Sequence, residues 1–213
     1  MAKIITFKGK EKGDIAYYIA KTLACGDLHT VALIDDSCGK NLFEAVHRYA
    51  DDDRYVIEKE NLVFLKDIEV QKDFAEKFDY IIYYFGRNNS LQVDADFRFV
   101  ISGCTASDIH TLSEVEDIDK SYLIMRDKIA NNITEKDIIG KYGIDDEHFL
   151  GTLMLDEKDE IAYSNFSFNG RQRIKDLSAD MQYAIVTLTA LISGEDRKTI
   201  QKSYRKAKRT TRV

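Results

Sequence analysis

The sequence contains no proline. Average usage of about 5% would give roughly ten. With no X–Pro bond, prolyl isomerisation is excluded as a slow folding step. Cysteine is scarce: Cys25, Cys38 and Cys104 are odd in number, widely spaced and form no C-x-x-C pair. That pattern indicates neither a disulfide framework nor a zinc site. The four histidines (His29, His47, His110, His148) show no ligand spacing, so no metal site follows from them. No apolar run approaches the ~20 residues that a membrane helix needs. The first residues carry Lys3 but no long apolar region and no small-residue cleavage site; they do not read as a secretory signal, and the expected location is the cytoplasm. No G-x-G-x-x-G follows any candidate strand, which argues against a dinucleotide-binding dehydrogenase. A Pro/Gly/Ser-rich linker and internal repeats are also missing.

What is present fits one large α/β domain, with two small domains as the alternative. The 213 residues are 44% hydrophobic and 32% charged, enough for a core and a solvated exterior. Short apolar runs at Lys3–Phe7, Thr30–Asp35, Asn61–Leu65, Tyr80–Phe85, Phe97–Ser102, Tyr122–Met125 and Phe149–Leu155 read as strands. Several are continuously apolar, as parallel strands covered on both faces are. Helical patterns lie between them at Asp14–Ala24, Lys40–Tyr49, Val70–Lys77, Ser107–Val115 and Thr134–Tyr142, and Ser178–Ser193 follows the last strand. Asp14, Ser107, Thr134 and Ser178 are the expected N-caps. The alternation predicts a doubly wound, mostly parallel sheet with helices on both faces.

Charge divides the chain near Gly194. Segment 195–213 holds eight Lys/Arg and two acids, whereas the rest holds 23 basic and 35 acidic side chains. This suggests a body, 1–194, and a basic C-terminal tail, 195–213. Thr199–Lys208 reads as a helix with Ile200, Tyr204 and Ala207 on one side, either packed or free. The tail is a solvated end, an anchor for an acidic protein or membrane surface, or a site for DNA phosphates.

Residues 3–24 have the layout of a phosphate-binding loop: strand, Gly-containing turn, helix. A working loop, G-x-x-x-x-G-K-[ST], needs bare backbone N–H groups, a Lys for the phosphates and a hydroxyl for Mg²⁺. Here Lys12 aligns with that Lys, Gly13 stands at the hydroxyl position, and Lys8 and Glu11 replace glycines. Gly9, Lys12, Gly13, Asp14 and Asp35 are the candidate remnant nucleotide site, with no metal ligand and no catalytic residue assigned. Glu11 or Asp14 is expected to take the place of phosphate, and Asp14 to cap the helix.

The order of segments resembles the ParA/MinD family of P-loop ATPases. Lys3–Ala24 resembles the first strand, P-loop and helix. Val-Ala-Leu-Ile-Asp-Asp at 31–36, Glu-Asn-Leu-Val-Phe-Leu at 60–65 and Lys-Phe-Asp-Tyr-Ile-Ile-Tyr-Tyr at 77–84 resemble the next three strands. Leu-Ile-Met-Arg at 123–126 and Phe-Leu-Gly-Thr-Leu-Met-Leu-Asp-Glu at 149–157 resemble the last two. The resemblance implies a P-loop NTPase-like three-layer sandwich, face-to-face homodimers and work in positioning. It also marks departures: Tyr84 stands where the Walker B Asp would hold metal, and Arg126 where an Asn would read adenine. With these losses the charge of phosphoryl transfer goes unstabilised. The expectation is a pseudo-ATPase without cofactor. It would be a homodimeric scaffold or localisation factor in a bacterial pilus, secretion or partitioning assembly, with protein partners. The alternative is an ATPase, binding ATP and Mg²⁺ through an unorthodox loop, with non-specific DNA binding. Tyr84 is expected to plug the nucleotide cleft.

Overall fold

The computed structural model describes residues 2–26, 29–47, 56–59, 61–66, 72–88, 93–130, 132, 134–169 and 174–209. Eight strands form one sheet: β1 (Lys3–Gly9), β2 (Val31–Asp35), β3 (Val56–Lys59), β4 (Leu62–Lys66), β5 (Tyr80–Gly86), β6 (Phe97–Ser102), β7 (Tyr122–Lys128) and β8 (Phe149–Met154). Their order is β3-β4-β2-β5-β1-β6-β7-β8. Every pairing is parallel except β3 with β4. The mostly parallel, doubly wound sheet expected from the sequence is therefore present, with one antiparallel edge strand added.

Each central strand divides its side chains between two cores, as a period of two requires. Ile5 and Phe7 of β1, Leu33 of β2, Ile82 and Tyr84 of β5 and Phe99 of β6 meet α1 (Asp14–Ala24), α6 (Glu157–Asn169), α7 (Ala179–Ser193) and α8 (Arg197–Arg209). On the opposite face Val100, Leu123 and Met125 pack with Leu112 and Ile138, which belong to α4 (Ala106–Leu112) and α5 (Glu135–Tyr142). Ala32, Ile34, Leu65 and Ile81 pack there against Phe74 and Ala75 of α3 (Lys72–Ala75). Full burial of each large apolar side chain contributes roughly 1.5–3 kcal/mol, so these layers hold the sandwich together.

The helix boundaries follow local chemistry. Thr134 and Ser178 cap α5 and α7, as expected. Two caps differ. Thr105, not Ser107, caps α4, because its hydroxyl and the Asp108 carboxylate form a reciprocal capping box. Gly13 occupies the N-cap of α1, and Asp14 makes no cap bond, since its carboxylate is drawn to an arginine described below. In α2 (Asn41–His47) and α3 the expected ends at Tyr49, Val70 and Gln71 lie outside the described residues.

The described part of the basic segment is a docked helix rather than a free tail. Gly194 at φ 75 closes α7 in the left-handed conformation that glycine adopts at least cost. The Lys3 ammonium donates to the last carbonyls of α7, Ile192 O and Ser193 O, both at 3.1 Å. The chain then folds back as α8, burying Ile200, Ser203, Tyr204 and Ala207, within the core that also holds α1.

Candidate functional site

The loop between β1 and α1 lies at the carboxyl edge of the sheet, where open α/β folds place ligands. It is tied down on every side. Gly9 has φ 107, and a Cβ there would collide with Ile101 O. The Lys10 N–H donates to that same carbonyl at 2.8 Å, and the Lys12 N–H folds back to Lys10 O at 2.8 Å. Tyr84 is buried; its hydroxyl donates to Lys10 O at 3.2 Å. Its ring lies so close to Gly13 that a Cβ there would meet Cε1 at 2.8 Å. Tyr84 thus fills the floor of the loop, as the sequence suggested. Burial pushes its phenol well above the usual range.

The cations of the loop are all spoken for. The Lys10 ammonium pairs with Asp127 at 2.6 Å. The Lys12 ammonium pairs with Asp127 at 2.9 Å and with Glu160, and lies over the Tyr163 ring at 5.3 Å. Burial alone would lower the Lys12 pKa, but Glu160 and Asp127 outweigh it and raise it. Arg126 ends the buried part of β7 with no exposed surface. Its two terminal nitrogens bond the two oxygens of Asp14, one of them at 2.9 Å, and its Nε donates to Asp127 at 3.2 Å. Such a fork fits a planar guanidinium. Asp127 turns toward the loop through a left-handed backbone, φ 58. Burial would raise its carboxyl, but Arg126, Lys10 and Lys12 hold it down at about 2. Three cations (Lys10, Lys12, Arg126) therefore face three carboxylates (Asp14, Asp127, Glu160).

Of the candidate residues, Gly9, Lys12, Gly13 and Asp14 come together. Asp35 stands beside Tyr84 across the β2–β5 pairing but makes its hydrogen bonds elsewhere. It is buried at the end of β2, accepting from the Ser37 hydroxyl at 2.6 Å, the Ser37 N–H at 3.1 Å and the Phe43 N–H at 2.8 Å. It therefore organises the turn into α2. Burial raises its pKa, against the bonds from Ser37 and Phe43. Neither Glu11 nor Asp14 takes the place against Lys12 foreseen for a carboxylate. Glu11 swings toward the end of β5 and accepts from the Arg87 N–H at 2.9 Å. Asp127 and Glu160 stand against Lys12 instead. Arg126–Asp127, a charged pair closing an apolar strand, was a signal for half of this arrangement. Glu160 sits on a helix that shows no apolar stripe, and nothing in the sequence marked it. Burial also pushes the Cys104 thiol up, in keeping with an inert cysteine. Among the described residues no group of three or more His, Cys, Asp or Glu is placed to hold a metal ion.

Strand order and the docking of helices on both faces define an α/β sandwich with the fold of P-loop NTPases, the loop at the head of α1 filled by the chain's own side chains. More narrowly, the fold is ParA/MinD-like. A ParA family ATPase from Chlorobium tepidum TLS superposes with a TM-score of 0.57 at 14% identity, covering 96% of this chain and 98% of that one. The MinD cell division protein of Aquifex aeolicus gives 0.63 at 17% identity, with 92% and 98% covered. A putative plasmid partition protein from Borrelia burgdorferi B31, bound to AMPPNP, gives 0.55 at 15%, with 97% and 99% covered. At these identities the likeness is one of fold. No protein-family model and no curated protein matches the chain.

Proposed function

We propose that this chain is a ParA/MinD-like pseudo-ATPase that serves as a scaffold or localisation factor in a bacterial pilus, secretion or partitioning assembly. One observation carries the reading: the three cations at the loop are neutralised by three internal carboxylates. A nucleotide triphosphate would meet no net positive charge and would have to displace Asp127 and Glu160. Gly13 offers no hydroxyl to a magnesium ion, and the Tyr84 ring stands where a metal-holding carboxylate would be required. The residues present do not fit Mg²⁺–ATP. Calorimetric titration with ATP and ADP, with and without Mg²⁺, tests this. The expected result is no heat and no thermal stabilisation at millimolar nucleotide. Micromolar binding lost on Lys12→Ala would establish the ATP-dependent switch instead.

The scaffold is proposed to work as a nucleotide-free homodimer. Lys10 and Lys12 are engaged within the protomer and give no free cationic face. An apolar rim lies beside them: Ile129, Met154, Leu155 and Ile161 are all exposed, and the Leu155 N–H donates to Lys128 O at 3.0 Å, next to Ile129. Sedimentation of Leu155→Asp/Ile161→Asp checks it: the dimer should become a monomer, and an unchanged coefficient would refute this face.

A second reading, non-specific DNA binding, is favoured by the outward side of α8, where Lys198, Lys202, Lys206 and Arg209 are exposed. Reversing Lys202 and Lys206 should abolish a salt-sensitive DNA shift. Deleting 195–213 would be a poor test, since it removes core residues.

A further inference from the structure

The groove between α7 and α8 combines cations with aromatic and amide side chains. It encloses about 250 Å³ and is lined by Gln182, Tyr183, Val186, Arg197, Gln201, Tyr204, Arg205 and Lys208. That lining holds three cations and no carboxylate, in a chain whose net charge is −6. The nearest acid in sequence, Asp196, is turned into the first turn of α8, where it accepts from the Lys198 and Thr199 N–H groups at 2.8 and 3.2 Å.

The groove is also preformed. The Arg197 guanidinium lies on the Tyr183 ring at 4.1 Å and donates to its hydroxyl at 3.3 Å. Lys208 reaches across to Gln182 Oε1 at 2.9 Å and lies over the Tyr204 ring at 5.5 Å. Held cations lose less side-chain freedom when they bind. Val186 and Tyr204 give the floor an apolar element, and Gln201 offers its exposed amide to an extended backbone, while the Gln182 amide is held between Lys208 and Leu177 O. Tyr and Arg are the residue types that most often carry binding energy at protein interfaces.

We propose that this groove docks an acidic protein segment, its carboxylates on Arg197, Arg205 and Lys208 and an apolar side chain over Val186 and Tyr204. Carboxylates suit the guanidinium forks, and the charge contrast steers encounter. A DNA duplex fits the concavity poorly; it would lie on the outward stripe of Lys198, Lys202, Lys206 and Arg209. A lipid surface is disfavoured because the apolar side of α8 is already buried in the core. This partner class extends the scaffold reading without depending on it: nucleotide titration reads the loop, and peptide binding reads the groove.

The test is fluorescence anisotropy with three labelled probes: a peptide of repeated Glu-Leu-Glu, a poly-glutamate peptide and a DNA duplex. The Glu-Leu-Glu peptide should bind saturably, more tightly than poly-glutamate and more weakly as salt rises. Arg197→Glu/Arg205→Glu should lower its affinity at least about tenfold. Lys202→Glu/Lys206→Glu should leave it within about twofold. Tyr183→Ala, which changes no charge, should also weaken it, and thermal melts confirm that each variant is folded. The proposal fails if the peptide does not bind, if both charge-reversal pairs weaken it equally, if poly-glutamate binds as well, or if the duplex competes through Arg197 and Arg205.

Discussion

Arg126 and Asp14 are the two residues on which the closed loop depends most. Both are fully buried, so neither charge has water to turn to. Removing one partner of a buried pair leaves the other uncompensated, at a cost of about 3–5 kcal/mol. Arg126→Asn, which restores the residue type that the family resemblance implies, is expected to lose stability in that range. Asp14→Asn added to it should cost far less than the sum of the two single changes; a denaturant double-mutant cycle measures the coupling. Asp127 supplies a pH dependence of known sign. Its carboxyl is held at about 2 when folded, against about 3.9 in an unfolded chain. The stabilisation is complete above pH ~4 and is lost as pH falls through 2, about 2 kcal/mol in all. Asp127→Asn should remove that part of the acid-induced slope in urea melts taken from pH 5 to 2. Asp35 acts in the opposite direction, its pKa being raised, so comparing the variant with the parent isolates Asp127.

Elements differed in how clearly the sequence announced them. Most of the seven parallel strands were legible because burial on both faces leaves little room for polar residues; β8, at the edge and largely unburied, was legible from its apolar run alone. Strand β3 was not, since it pairs only with β4. Helix α6 was the consequential omission. Among its described side chains only Asp159, Ala162 and Phe166 are buried, while Ile161 and Phe168 face solvent, so its apolar residues fall on both sides and leave no stripe. What fixes α6 is a short apolar contact, Phe166 against Tyr17 at 5.2 Å, together with a polar one: the Asp159 carboxylate accepts from the Ser178 hydroxyl at 2.7 Å and the Ser178 N–H at 2.8 Å. Because α6 carries Glu160, half of the charge balance around Lys12 was invisible beforehand. The α6 contact to the loop is weaker than the β7 contact. The Glu160 side chain is 39% exposed, and partly solvated pairs contribute up to about 1 kcal/mol. Glu160→Gln should therefore lower stability by no more than that, against several times as much for Arg126→Asn, with both read from the same urea melts.

At the scale of the whole molecule, sequence order and spatial order run against each other. β1 lies in the middle of the sheet between β5 and β6, and α1 is covered by α7 and α8. Such long-range pairing folds slowly, on millisecond to second timescales. The absence of proline sets a limit to the slowness. Refolding should show no phase of tens of seconds, and adding a prolyl isomerase should leave every rate unchanged in stopped-flow fluorescence. The central place of β1 also bears on synthesis. On the ribosome about seventy residues separate the end of β1 from the start of β5, its partner, at roughly 5–20 residues per second. For those seconds β1 lacks the strands that flank it in the sheet, and α8 reaches α1 only after α7 has been made. A holdase that meets the chain on the ribosome is therefore expected to meet β1 and α1.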